Sequence, residues 1–192
     1  MASAVVLAAG GSRRMGSPKA LLPLGDSCLL AAHLSVLSRH ISEIYVVGGA
    51  LYEEFLGVGQ TYGARTIRNL DWQRTMPMDS LRLALSHGLS APCVVTPVDT
   101  APVSDSDLVR LLACSDGAVL TYEGSPGHPV LLGPAEISAV SGGTRADVVL
   151  SETPGQGLRD IVKGLQQVRS EREECLFNFN TPEDWRSWLA RS

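Results

Sequence analysis

Short apolar runs of strand character alternate along the chain with stretches in which leucines recur at helical spacing, the pattern of βαβ units and a mainly parallel sheet. Residues 4–8 make a first strand, followed by a loop rich in glycine and arginine. Helical spacing over 29–37, a strand over 43–48, a short helix over 51–56 and a strand over 64–68 come next. Asp79 is placed to cap a helix through Leu81, Leu85 and Leu89. The run 92–99 is apolar and β-branched and ends on the carboxylate of Asp99. Ser104 then caps a helix over Leu108, Leu111 and Leu112, and residues 117–122 read as another strand.

After residue 123 the texture changes. Gly124, Pro126, Gly127, Pro129, Gly133, Pro134, Gly142 and Gly143 predict a loop-rich excursion around a short strand at 129–132, either a substrate-facing insertion or a loose edge. Regularity returns with a helix near 158–162, a strand at 176–179 and a last helix capped by Thr181 with Pro182 in its first position. Trp185 and Trp188, three apart on that helix, are read as its docking face. The expected fold is a single three-layer αβα domain over 1–192 with a mainly parallel, mixed sheet.

A length of 192 residues suits one core, and 44% hydrophobic with 19% charged residues is an ordinary globular profile. The net charge of -4 argues against a nucleic-acid surface. The apolar opening breaks after about nine residues, too short to span a membrane. Cys28, Cys93, Cys114 and Cys175 form no C-x-x-C pair, and they read as small hydrophobes of a reducing compartment, so the expected location is cytoplasmic.

The strongest chemistry lies in the first loop, where Gly10, Gly11 and Gly16 stand with Arg13, Arg14 and Lys19 inside ten residues. Glycines let loop N–H groups approach phosphate oxygens, Arg14 offers a fork of donors and Lys19 a compact charge. The spacing is neither G-x-x-x-x-G-K-[ST] nor G-x-G-x-x-G. On residues alone, a solvated basic surface turn is the competing reading. Asp99, at the carboxyl end of an expected central strand, suits Mg²⁺, with capping or a turn as its alternative role.

The segment Leu7-Ala8-Ala9-Gly10-Gly11-Ser12-Arg13-Arg14-Met15-Gly16-Ser17-Pro18-Lys19, with Ala20-Leu21-Leu22-Pro23-Leu24-Gly25 after it, resembles the signature of the MobA-like nucleotidyltransferases. That resemblance implies a Rossmann-like, glycosyltransferase-A type fold. Leu-Ala-Ala-Gly and Leu-Leu-Pro-Leu-Gly look more like the molybdenum cofactor cytidylyltransferases than the guanylyl branch, which implies CTP. The resemblance continues at Thr96-Pro97-Val98-Asp99-Thr100-Ala101-Pro102, at Gly127-His128-Pro129-Val130-Leu131-Leu132 and at Asn178-Phe179-Asn180-Thr181-Pro182-Glu183-Asp184.

What it implies for the site is specific. Leu7, Ala8, Ala9, Gly10, Gly11, Ser12, Arg14, Lys19 and Ser80 would bind the nucleotide, and Arg14, Lys19 and Asp99 would carry catalysis. Asp99 and Asn180 would hold Mg²⁺ or Mn²⁺, although Asn178 and Asn180 stand where the family has aspartates; an amide oxygen still suits a hard cation. Ser80-Leu81 is kept, while Met76-Pro77-Met78 replaces a glycine-containing stretch and reads as packing. His128 and Arg145 would lie near the acceptor, His128 being equally readable as a structural histidine.

The implied reaction is attack by a phosphate oxygen on the α-phosphorus of CTP. The acceptor would be molybdopterin carrying its molybdenum, and the product would go to a molybdenum hydroxylase or its maturation factor. Alternatives are transfer to a sugar phosphate or another small phosphorylated acceptor, a catalytically impaired binding relative, and a structural domain without nucleotide affinity.

Overall fold

The computed structural model describes residues 1–12, 14–142 and 161–191. Its sheet explains the near-continuous apolar runs. In β1 (Ser3–Ala8), Ala4, Val6 and Ala8 enter one core cluster while Val5 and Leu7 enter another. The same alternation divides Ile44 and Val46 from Tyr45 and Val47 in β4 (Glu43–Gly48), and Val94 from Cys93 and Val95 in β6 (Cys93–Pro97). A strand covered on both faces has no polar side to show.

The first cluster is roofed by α1 (Leu29–Ser38), α2 (Tyr52–Thr61) and α4 (Asp105–Leu112) through Leu30, Leu34, Leu37, Phe55, Leu108 and Leu111. The opposite face takes α3 (Pro77–Ser86) and α5 (Pro134–Gly142) through Met78, Leu81, Ala84 and Val140. The three-layer αβα arrangement is therefore present as expected.

With β5 (Arg65–Arg68), β7 (Ala118–Tyr122), β8 (Ser125–Leu132) and β9 (Gln166–Arg169), the sheet order is β5-β4-β1-β6-β8-β7-β9. β5, β4, β1 and β6 pair in parallel, and β8 runs antiparallel between β6 and β7. The chain goes from β1 outward to β4 and β5, then returns to β6 on the other side of β1. At such a reversal the loops beyond the two carboxyl ends diverge and leave a crevice, the place where open α/β sheets bind ligands. A small hairpin of β2 (Pro23–Leu24) and β3 (Ser27–Cys28) leads into α1.

Several expectations need correction. Asp79 is not the cap of α3: Met76 occupies that position, Pro77 is the first helical residue, and Asp79 Oδ2 accepts the Met76 N–H at 2.8 Å from the third. Proline lacks the N–H that a first helical position leaves unpaired anyway, so it starts the helix earlier than the leucine spacing indicates. As far as Leu132 the excursion after residue 123 is a β7–β8 hairpin, with a register shift between Val119 and Thr121 and closed by Glu123 and Gly124 with φ of 49° and 81°; Pro134–Gly142 is α5, and Gly143 lies outside the described residues. Positive φ at both turn residues matches the strand twist.

Residues 176–179 are not a strand of the main sheet. Glu173–Leu176 is a single 3-10 turn, and Asn178 forms only an isolated antiparallel bridge with Thr100. The edge strand is β9 instead; its polar Gln166 and Gln167 are exposed and gave no apolar alternation to read. The helix expected near 158–162 falls largely outside the described residues. Ser104 and Thr181 do cap their helices, accepting the N–H of Asp107 and of Asp184 at 3.2 Å each.

Leu81 is fully buried, whereas Leu70 is 79% exposed. Leu81→Ala should cost about 2–5 kcal/mol of unfolding free energy, and Leu70→Ala should stay within about 0.5 kcal/mol, both read from urea denaturation midpoints.

Candidate functional site

The crevice beyond β1 and β6 is a cleft of about 420 Å³, within the range of small-ligand sites. The loop after β1, Ala9 to Ser12 and Gly16 to Ala20, forms one wall; Pro97, Val98 and Asp99 form the floor; Trp72, Thr75, Met76, Pro77 and Ser80 face them. The loop is tied to itself by the Ser12 carbonyl, which accepts the Met15 N–H at 3.0 Å, and by Ser12 Oγ, which accepts the Lys19 N–H at 3.0 Å. Two glycines are demanded by close approach. A Cβ on Gly11 would lie 2.7 Å from the Trp72 ring, and one on Gly49 would lie 2.3 Å from the Ala9 carbonyl oxygen.

At the mouth of this loop four side chains meet. The Lys19 ammonium donates to Asp99 Oδ2 at 2.8 Å and to Asn180 Oδ1 at 3.2 Å, and Arg14 donates to the same Asn180 oxygen at 3.1 Å. Asn178 follows at the edge, its Oδ1 3.5 Å from Asn180 Nδ2. Two cations thus face one carboxylate and a neutral amide, leaving an excess of positive charge suited to phosphate. The Asp99 and Asn180 oxygens already converge on a cationic centre. One carboxylate plus an amide oxygen is a donor set that Mg²⁺ accepts when waters and phosphate complete its shell. Among the described residues no group of three His, Cys, Asp or Glu side chains could form a closed metal site.

The C-terminal segment that delivers Asn180 is held at three points. The Phe179 N–H donates to the Asp99 carbonyl at 2.6 Å, and the Ala101 N–H to the Phe177 carbonyl at 3.4 Å. Asp184, in α6 (Pro182–Leu189), accepts the N–H groups of Asn180 and Thr181 at 2.8 Å each. These two backbone donors, Asn180 first, hold its carboxyl below the usual carboxylate range. Trp185 and Trp188 do dock α6: both pack on the fully buried Phe179 with ring centroids 5.0 Å apart.

Behind the floor, His33 of α1 is buried with Nε2 3.0 Å from the Thr100 carbonyl oxygen. Burial pushes its imidazole down to about 4, against the weaker upward pull of the backbone carbonyls and Asp99.

Leu7, Ala8, Ala9, Gly10, Gly11, Ser12, Lys19, Ser80 and Asp99 line the cleft together, and Arg14 and Asn180 join them through hydrogen bonds. His128 does not line it; it borders a separate small cavity of about 10 Å³ with Asp107, Arg172 and Cys175. Arg145 lies outside the described residues. The two methionines part company: Met78 is buried as packing, while Met76 is 70% exposed on the cleft rim. Sequence reasoning missed Trp72 and Thr75 as wall residues and Asn69 behind them. The available signal was one aromatic residue inside an otherwise polar stretch ahead of α3.

The family model of the MobA-like NTP transferase domain matches residues 4–169, so the chain belongs to that family of nucleotidyltransferases. It is 30% identical over 187 residues to a molybdenum cofactor guanylyltransferase of Xanthomonas euvesicatoria pv. vesicatoria, covering 94% of this chain and 90% of that protein. It is 26% identical over 189 residues to the molybdenum cofactor cytidylyltransferase of Escherichia coli strain K12, covering 94% and 92%. The solved CTP:phosphocholine cytidylyltransferase of Streptococcus pneumoniae superposes with a TM-score of 0.78 at 15% identity, over 99% of this chain and 98% of that one, a likeness of fold.

His33 is neutral when folded and has an ordinary value near 6.5 when unfolded. Its stabilising contribution is therefore complete above about pH 6.5 and is lost as pH falls toward 4. From pH 7 to pH 5 this loss is on the order of 2 kcal/mol. His33→Gln should flatten the pH dependence of the urea midpoint by a comparable amount; an unchanged slope would show that His33 is already charged or unshifted.

Proposed function

From that family membership we propose that the protein transfers CMP from CTP to a phosphorylated acceptor, molybdopterin carrying its molybdenum, and releases pyrophosphate. The observation that carries this reading is the meeting of Lys19, Arg14, Asp99 and Asn180 at the mouth of the glycine loop. The Leu7-Ala8-Ala9-Gly10 opening supports cytosine over guanine, and the names of the relatives, which include both cytidylyl and guanylyl enzymes, support the acceptor. Four free cysteines suit a reducing, cytoplasmic location.

In this reading the N–H groups of the loop after β1 meet the triphosphate, and Arg14 and Lys19 neutralise the charge that builds on the α-phosphoryl and departing oxygens. A terminal phosphate oxygen of the acceptor bonds to the α-phosphorus as the bond to pyrophosphate breaks, and pyrophosphate leaves with the electron pair. That oxygen is ionised near neutral pH, so no side chain has to take a proton from it. His33 is committed to the Thr100 carbonyl and does not face the cleft. Asp99 and Asn180 would hold Mg²⁺ or Mn²⁺, which supplies further charge neutralisation at the phosphates. Catalysis then rests on positioning and electrostatics.

Asn180 favours one second reading, a relative that binds the nucleotide but turns it over poorly, because a neutral amide holds a divalent cation more weakly than a carboxylate. The two readings separate on one experiment. CTP with Mg²⁺ or Mn²⁺ should raise thermal stability, by about 2.7 kcal/mol at a hundred times Kd. Pyrophosphate release on adding the acceptor should fall by on the order of 10²–10³ in Lys19→Ala and in Asp99→Ala. Stabilisation without pyrophosphate release would favour the impaired relative, and no stabilisation by any triphosphate would remove the nucleotide assignment.

A further inference from the structure

Asn69, just past β5, is buried, with its own N–H donating to the Gly48 carbonyl at 2.8 Å. Its side-chain oxygen accepts the Asp71 N–H at 3.1 Å. A backbone N–H can only donate, so this bond fixes which end of the amide is oxygen and which is nitrogen. The nitrogen end then spends both of its hydrogens: Nδ2 donates to Thr75 Oγ1 at 2.8 Å and to Ser80 Oγ at 3.3 Å.

Each hydroxyl oxygen is thereby an acceptor toward Asn69, and its own hydrogen is left to be donated elsewhere. Among the described residues neither hydroxyl has a further partner. The backbone carbonyl four residues before Ser80, that of Met76, already accepts the N–H groups of Asp79 and Ser80. Both Thr75 and Ser80 line the cleft, on the wall opposite the loop that carries Lys19. Two neighbouring O–H donors, turned by one amide, are therefore presented to whatever fills that part of the cleft.

Taking the cleft as the nucleoside triphosphate site proposed above, we infer that Asn69 sets the hydrogen-bond polarity of the base pocket, and that the paired Thr75 and Ser80 donors select cytosine. Cytosine carries two adjacent acceptors, N3 and O2. On the same Watson–Crick edge uracil has an N–H between its two carbonyls, guanine presents adjacent N–H donors beside one carbonyl, and adenine has a single ring acceptor beside its amino group. When the pocket reads that edge, rather than the O6 and N7 acceptors on guanine's other edge, only cytosine satisfies both hydroxyls together. A base N–H facing such a hydroxyl meets only its remaining lone pair and leaves the hydroxyl hydrogen without a partner, and a buried polar group left unpaired is the strongest basis a pocket has for rejecting a near-isostere. Asn69 acts here as a positioning residue, since its side chain reaches the base only through the two hydroxyls.

The test titrates the full-length protein with CTP, UTP and GTP by calorimetry, with Asn69→Asp, Thr75→Val and Thr75→Ser alongside. A carboxylate at position 69 accepts from both hydroxyls and turns their lone pairs into the cleft. Asn69→Asp should therefore weaken CTP by about tenfold while narrowing or inverting its preference over GTP. Thr75→Val should lose CTP affinity without gaining GTP affinity, and Thr75→Ser should restore the CTP preference. If Asn69→Asp does not fold, the two Thr75 variants decide the point. CTP-selective binding unchanged in Asn69→Asp and Thr75→Val would overturn this inference alone, as would wild-type protein that binds GTP as tightly as CTP. Wild-type protein that binds no triphosphate would overturn the nucleotidyltransferase reading beneath it.

Discussion

Phe179 is the point on which the candidate site depends. Its ring is fully buried between Trp185 and Trp188, in a cluster that also takes in Met15, Leu22, Leu29 and Ala101. Those residues come from the stretch that runs from the loop after β1 into α1, from the segment after β6, and from the C-terminal helix and its approach. Burying apolar surface is non-directional, yet here it makes three distant stretches of chain share one small core. The bond from the Phe179 N–H to the Asp99 carbonyl then fixes the register between them. Arg14 next to Met15, Asn180 next to Phe179 and Asp99 two residues before Ala101 are thus brought together by their apolar neighbours rather than by attraction for one another.

Energetics support that division of labour. Lys19 and Asp99 form the shortest link among the four side chains that meet at the loop, with side chains 13% and 27% exposed. A partly solvated ion pair contributes little to folding, and in the proposed reading this one holds an ammonium ready for phosphate at the loop end of the cleft. Lys19 is held at both ends, its N–H by Ser12 Oγ and its ammonium by Asp99 and Asn180. Preorganisation of this kind reduces the ordering cost that a flexible lysine would otherwise incur on binding.

Much of this was legible in the sequence, for identifiable reasons. Strands β1, β4, β6 and β7 are almost wholly buried, so their apolar runs were unmistakable, and Ser104, Thr181 and Pro182 carry their capping chemistry in their side chains. The glycine and basic loop was legible because its composition has few other uses. What escaped was whatever depends on neighbours far along the chain. β9 is polar because an edge needs no second apolar face. Phe177 and Phe179 alternate as a strand does, yet their apolar surface faces the tryptophans rather than a sheet. The start of α3 was misplaced because Asp79 satisfies a donor from the third helical position, a role that spacing alone does not distinguish from capping. Trp72 has meaning only through Gly11 and Gly49, far away in sequence.

That last contact also links the two ends of the cleft. The Trp72 ring presses on Gly11, inside the loop that also carries Lys19, and Trp72 belongs to the same short segment as Thr75, whose hydroxyl accepts from Asn69. Gly49 in turn sits against both Trp72 and the Ala9 carbonyl, with no room for a Cβ at either. The wall beside α3 and the loop after β1 are therefore one packed unit, in which neither can shift by even a methyl group's width without displacing the other. In the proposed reading, a ligand that orders one wall orders the other, so base contacts at the Thr75 and Ser80 end would be mechanically joined to charge neutralisation at the Lys19 end. On the proposed reaction, a site packed this way would use contacts remote from the reacting phosphorus to hold a triphosphate in line, which is where binding energy has most effect on rate.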